Sequence, residues 1–170
     1  LFLSRGRELV AWINEEDHLR LWSAEPSGDL AAAFVRLCAA EARVSAALGE
    51  DGQSFARHPM LGYLTTCPSH LGTALRAEVR LKLPLLGAQP GFRALCRRLG
   101  LKATEASGLG GCAWDVANGE TLGSGEAEQV NAVLKAGRLL VELEERLELG
   151  KEVDLASVTG LGAGSGSSSR

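Results

Sequence analysis

Two short stretches hold the residues whose types and spacing could do chemistry. The first reads Thr66-Cys67-Pro68-Ser69-His70-Leu71-Gly72-Thr73-Ala74-Leu75-Arg76. A thiol, a proline, a glycine and an arginine so close together describe a turn with reactive groups on it. Pro68 fixes φ and removes a backbone donor directly after the thiol. Gly72 admits a conformation, or a close approach, that a side chain would block. Ser69 can donate a hydrogen bond to a Cys67 thiolate, and the Arg76 cation favours the same charged form. The pattern also fits a plain buried cysteine beside an ordinary turn, because free cysteine is most often a small core residue. The second stretch, Trp12-Ile13-Asn14-Glu15-Glu16-Asp17-His18-Leu19-Arg20, sets three acids, a histidine and an arginine between apolar flanks. Such an acidic cluster also fits a solvated turn.

Together the two stretches resemble the phosphagen kinases, the ATP:guanidino phosphotransferases. The likeness runs through Trp-x-Asn-Glu-Glu-Asp-His-Leu-Arg from Trp12, Leu61-Gly62-Tyr63, Cys67-Pro68-Ser69, Leu-Gly-Thr-x-Leu-Arg from Leu71, and Lys82-Leu83-Pro84. It continues through Asp115-Val116-x-Asn118, Leu122-Gly123-Ser124 and Glu128-Gln129-Val130. These motifs stand in the family's order between residues 7 and 155. Ser69 after Cys-Pro favours the creatine kinase branch, since arginine kinases usually carry threonine there.

The resemblance implies transfer of the ATP γ-phosphoryl to a guanidino nitrogen. That reaction is mostly positioning and charge stabilisation. It implies Glu16 as the main carboxylate on the guanidinium and the candidate base, with Glu15 beside it. Cys67 matches the reactive thiol that contacts the guanidino substrate as a thiolate. Arg20 and Arg76 match phosphate-binding arginines, and Asp115 matches an acid near the nucleotide. The implied cofactor is Mg²⁺ carried with ATP, and no residue here is assigned as a metal ligand. The implied partners are ATP or ADP, a guanidino compound, the upstream part of the same chain, and a homo-oligomer or larger assembly.

Three departures from the family pattern keep a second function class open. The family has a Gly-rich loop with a phosphate-binding arginine before the Asp-Val-x-Asn strand. Here that region, Lys102 to Gly111, is shorter and contains no arginine, and Glu105 would repel a triphosphate. Glu78 and Arg80 stand where a small residue and a histidine are usual. Everything before the Trp12 strand is missing, which predicts a piece of a longer chain with no phosphoryl transfer of its own. The alternative to an enzyme portion is a catalytically degenerate domain with a structural or interaction role.

Composition narrows the field without reference to any family. A chain of 170 residues with 45% hydrophobic content makes one ordinary domain with a real core. A net charge of −3 and no basic stripe exclude a nucleic-acid module. No run approaches the roughly 20 apolar residues of a membrane span. Cys38, Cys67, Cys96 and Cys112 form no C-x-x-C pair and no zinc pattern. Free thiols in a reducing, cytoplasmic setting are expected.

The elements that must position the two stretches follow from periodicity. Leu9 to Ile13 and Leu19 to Ser23 read as strands around the acidic turn. Asp29 or Ser27 caps a helix running to Leu48, with Gly49 at its C-terminal end. Leu61 to Thr66 reads as a strand. Leu75 to Leu83 alternates as a strand with one wet face and ends at Pro84. Phe92 to Leu99 forms a short helix ending at Gly100. Ala103 to Gly111 reads as a Gly-rich loop, and Cys112 to Val116 as a strand turning at Asn118-Gly119. A long helix follows from Gly125 to Leu149 with Ser124 as N-cap, and Val130, Val133, Leu134, Gly137, Leu140 and Val141 as its buried stripe. The predicted fold class is α+β, an antiparallel β-sheet with helices packed on it, like an incomplete guanidino-kinase catalytic domain. Residues 1–156 are assigned to that domain and 157–170 to a flexible Gly/Ser-rich tail or linker.

Overall fold

The computed structural model describes residues 1–108 and 112–158. It divides into two compact units, Leu1–Ala77 with Thr121–Val130, and Glu78–Glu120 with the chain from Asn131 onward. Both are built from antiparallel strands and helices, which is the expected α+β class.

In the first unit, strands β1 (Phe2–Leu3), β2 (Leu9–Ile13) and β3 (Leu19–Ser23) form one antiparallel sheet in that order. The β2–β3 register pairs Val10 with Trp22 and Trp12 with Arg20, so these four side chains share one face. Both tryptophans are largely exposed, at 44% for Trp12 and 64% for Trp22. Helix α1 (Leu30–Glu50) is capped by Asp29, whose carboxylate accepts the Ala32 N–H at 2.9 Å. Arg36 ties the helix to the end of β3, donating to Ser23 Oγ and the Ala24 carbonyl at 3.1 Å and to Glu25 Oε2 at 2.9 Å. Two short strands, β4 (Arg57–His58) and β5 (Gly62–Tyr63), pair antiparallel, and Gly62 and Tyr63 also bridge to Gly72.

The second unit holds most of the fully buried side chains. Strands β6 (Glu78–Lys82), β7 (Leu101–Glu105) and β8 (Ala113–Asn118) form an antiparallel sheet in the order β6-β8-β7. Helix α2 (Phe92–Arg98) and the larger part of helix α3 (Glu126–Glu148) belong to this unit. Leu83, Leu86, Phe92, Leu95, Val116, Val133 and Leu140 are buried to within 1%. The Trp114 ring meets Phe92 edge-on at 4.8 Å, and the Arg93 guanidinium lies 5.0 Å from its centroid. Buried Glu144 on α3 accepts the Leu85 and Leu86 N–H groups at 2.9 and 2.7 Å, closing the turn after Pro84.

Several expected boundaries move, each for a local reason. The strand expected over Leu61–Thr66 shrinks to Gly62–Tyr63, because Thr65 and Thr66 place their hydrogen bonds in the neighbouring turns. The strand expected from Leu75 begins at Glu78, since Ala74 takes φ +52 and bends the chain. Helix α1 runs through Gly49 to Glu50, and the left-handed residue that follows it is Gly52. Helix α3 begins at Glu126, so Ser124 lies one residue before the cap position. Glu128 instead accepts the Gly125 N–H at 2.9 Å, which is half of a capping box. Val141 is 38% exposed, whereas Ala136 and Leu143 are buried. The region read as a small-residue loop from Ala103 is strand β7 as far as Glu105. Residues 109–111 of that loop, and the tail from 159 onward, lie outside the described residues. Among the described residues no helix is long and apolar enough to cross a membrane.

Candidate functional site

The acidic stretch forms the loop of the β2–β3 hairpin. Asn14 opens it at φ +55, a left-handed conformation that asparagine tolerates better than most residues. The Asn14 N–H donates to the His18 carbonyl at 3.0 Å and closes the loop. Glu15 and Glu16 are exposed on its tip, and Arg20 on β3 reaches back to both. Its guanidinium lies 3.6 Å from Glu15 Oε2 and 3.8 Å from Glu16 Oε2. These groups are all well solvated, so each pair contributes at most about 1 kcal/mol.

The thiol stretch forms the second turn. Cys67 takes the extended conformation that a residue before proline prefers, and Pro68–His70 then makes one 3₁₀ turn. Cys67 is half-buried, with Sγ 2.9 Å from Ser69 Oγ. The Cys67 carbonyl accepts from the Thr65 hydroxyl at 2.9 Å and the His70 N–H at 3.0 Å. Thr121 supports the far side of the turn, donating its hydroxyl to the Leu71 carbonyl at 2.6 Å. The Thr73 hydroxyl donates to buried Gln129 at 2.8 Å, which anchors the segment leading to Arg76. Arg76 itself is exposed, one residue before buried Ala77 and outside any strand.

Two hydrogen bonds join these turns across some fifty residues of sequence. The Thr66 N–H donates to Asp17 Oδ1 at 2.7 Å, and the Thr66 hydroxyl donates to the Glu16 carbonyl at 2.9 Å. The Thr66 N–H is the main reason the Asp17 carboxyl lies below its usual range, with the His70 and Arg20 charges adding smaller shifts downward. A depressed carboxyl pKa stabilises the fold fully above the ordinary aspartate range. That contribution is lost as pH falls through the depressed value.

The first unit therefore gathers Glu15, Glu16, Arg20 and Cys67 around Thr66, with Arg76 further along the same segment. Asp115 belongs to the second unit. It stands opposite Arg80 in the β6–β8 register, and Arg80 grips it with both donors, Nε to Oδ1 at 2.6 Å and a terminal nitrogen to Oδ2 at 2.9 Å. Sequence reasoning missed Asp17, Thr66, Thr121 and Gln129 as supports of the site. Asp17 was visible only as the third acid of a cluster, and Gln129 only as part of a motif.

Cys67 is expected to be the fastest thiol to react. Burial pushes Cys96 up to about 11. Desolvation, then the Glu126 and Glu41 carboxylates, raise Cys38. Site-resolved alkylation at neutral pH should find Cys67 ahead of Cys96 by at least about tenfold, and ahead of Cys112, since the thiolate is the nucleophile. A Cys67 no faster than Cys112 would show that its turn confers no reactivity.

Comparison with known proteins agrees with this geometry. The family model for the ATP:guanido phosphotransferase C-terminal catalytic domain matches residues 1–147. Chicken (Gallus gallus) creatine kinase B-type is 39% identical over 153 residues, which cover 88% of this chain and 40% of that protein. The flagellar creatine kinase of Strongylocentrotus purpuratus is 38% identical over 154 residues, 88% of this chain and 13% of that one. A crystal structure of lombricine kinase superposes with a TM-score of 0.85 at 31% identity, covering 91% of this chain and 44% of the other. The 170 residues thus span well under half the length of these relatives. On this match, and on turns that bring the same motifs together in space, the chain belongs to the ATP:guanido phosphotransferase family as a portion of its C-terminal catalytic domain.

Proposed function

We propose that residues 1–156 supply the guanidino-acceptor side of a reversible ATP:guanidino phosphotransfer site, and that turnover requires fold beyond these 170 residues. The observation that carries this reading is Thr66, bonded to both Asp17 and Glu16, which sets the glutamate turn beside the thiol turn. Glu16 is the main carboxylate for the substrate guanidinium and the base that takes its proton, with Glu15 beside it. The side chain of Arg20 already lies on both glutamates. The pair therefore accepts the same planar cation that a guanidino substrate presents. Cys67 contacts that substrate as a thiolate held by Ser69. Arg20 and Arg76 meet the phosphates, and Asp115 lies toward the nucleotide. Mg²⁺ arrives with ATP as part of the substrate. Among the described residues no group of three or more His, Cys, Asp and Glu side chains is placed to hold an ion. The protein's share of phosphate neutralisation falls to its arginines. ATP or ADP, a guanidino compound and further polypeptide of the same fold are the partners, in a reducing cytoplasmic compartment.

A second reading, a catalytically degenerate domain, is favoured by one observation. The Asp115 carboxylate is engaged at both oxygens by Arg80, where the family pattern has histidine. The arginine-free segment Lys102–Gly111 points the same way. The loss of one phosphate-binding arginine costs on the order of tenfold to a hundredfold in nucleotide affinity.

A graft separates the two readings. These residues replace the matched segment of chicken creatine kinase B-type, and creatine, taurocyamine and lombricine are offered in a coupled assay. The isolated 170 residues should show no transfer above background. The graft should transfer phosphoryl with weakened MgATP affinity, and Glu16→Gln should lower its kcat by about 10²–10⁴-fold. A folded but inactive graft would favour the degenerate domain. Activity indifferent to Glu16→Gln would remove the assigned base.

A further inference from the structure

We infer that Asp17 is a positioning residue, fixing the separation of Glu16 and Cys67 through the Thr66 peptide. The inference rests on the acceptor-side reading above. Its geometry is specific. Asp17 directly follows Glu16, and Thr66 directly precedes Cys67. The two bonds between these pairs, at 2.7 and 2.9 Å, link neighbours of the base to the neighbour of the thiol. One bond ends on a carboxylate and is the stronger kind. The other ends on the backbone of Glu16 itself, so rotation of the Glu16 side chain leaves it intact. The remaining bonds have other jobs. Arg20 pairs with Glu15 and Glu16 inside the hairpin. Ser69, Thr65 and His70 act within the thiol turn, and Thr121 ties that turn to the segment that begins α3.

Loss of the Asp17 acceptor therefore leaves only the Thr66 hydroxyl bond between the turns, while each turn keeps its internal hydrogen bonds. The charged groups facing Asp17 are Arg20 on β3 and His70 in the thiol turn, with Glu15 and Glu16 in its own loop. The Thr66 N–H above all, and more weakly His70 and Arg20, lower the pH at which Asp17 protonates.

Asp17→Ala, Asp17→Asn and Thr66→Val test this in the full 170-residue chain. Two probes are read together: amide exchange of the Thr66 N–H, corrected for its intrinsic pH dependence, and iodoacetamide alkylation of Cys67. Exchange of the Leu37 and Cys38 amides in the middle of α1 serves as the control for opening of the same unit. Asp17→Ala should speed Thr66 exchange about tenfold and change the Cys67 rate at least threefold, with the α1 amides unmoved. Thr66→Val removes the hydroxyl, with its bond to Glu16 and its lesser interaction with Asp17, keeps the Thr66 N–H bond, and should give a smaller change of the same sign. Asp17→Asn keeps an acceptor oxygen and should restore most of the protection. Protonated Asp17 likewise keeps one neutral acceptor oxygen, so acidification should bring wild-type protection down to that of Asp17→Asn and leave Asp17→Asn itself unmoved. A purely steric role for Asp17 would give the wild type and Asp17→Asn the same protection at every pH. The same variants in the creatine kinase graft should raise KM for the guanidino substrate more than KM for MgATP. Wild-type exchange and alkylation in Asp17→Ala would overturn the inference, and so would equal effects on both KM values. Altered Thr66 and Cys67 in a graft with no activity at all would uphold the positioning and overturn the acceptor-side function instead.

Discussion

Gly72→Ala is expected to lower the stability of the first unit by about 3 kcal/mol, combining overpacking with strained backbone. A Cβ at this position would sit 2.2 Å from the Thr121 carbonyl oxygen and 2.9 Å from its carbon. These are backbone atoms, so no rotamer change relieves the clash. Gly72 also has φ +104, where a side chain is strained whatever the space. The displaced partner matters to the site. Thr121 accepts the Thr73 N–H through its carbonyl and supports the thiol turn through its hydroxyl. Gly123→Ala is the matched control, with φ +83 and open space around its Cβ position. It should cost only the conformational part, about 1 kcal/mol. Urea melts of both variants, with Cys67 alkylation as a local readout, decide the point. Equal losses in the two variants would mean that the close approach at Thr121 relaxes freely.

Glu144→Ala is expected to cost the second unit on the order of 3–5 kcal/mol, because it strands two amide donors at once. The carboxylate is 4% exposed and is the acceptor for both Leu85 and Leu86, of which Leu86 is completely buried. Water cannot easily replace it there. Glu144→Gln keeps one acceptor oxygen but turns an NH₂ toward the other donor. It should recover roughly half of the loss. Denaturant midpoints with unchanged slopes would give the ranking directly. A Glu144→Ala variant within 1 kcal/mol of wild type would show that the turn after Pro84 finds other acceptors.

How far the fold could be read from the chain depended on whether a segment's cause was local. Leu9–Ile13 and Leu19–Ser23 were legible in full, since apolar runs flank a polar loop on both sides. Strand β7 was not. Lys102, Ala103 and Thr104 carry little hydrophobic signal, and what makes them a strand is pairing with β8, where Thr104 meets Asp115 and Ala103 meets Val116. Gly49 looked like a helix stop, but the chain needed its left-handed turn only at Gly52. The site divides in the same way. Glu15, Glu16, Arg20 and Cys67 were readable from residue type and motif order. The Ser69–Cys67 contact was readable because it spans two residues. Asp17 was not, because its partner Thr66 is 49 positions away. The Arg80–Asp115 pair escapes for the same reason, its members being 35 positions apart.

The placement of the three tryptophans gives the second unit a built-in optical label. Trp12 and Trp22 in the first unit lie open to solvent, while Trp114 in the second is 5% exposed beneath Phe92 and Arg93. The Trp114 indole N–H is buried and has no hydrogen-bond partner among the described residues. A polar quencher in solution therefore reaches the two exposed indoles first and leaves the emission of a dry, apolar environment behind. Under quencher, the red shift and loss of that residual light date the opening of the second unit. That opening can be timed in one cuvette without a mutation or a dye.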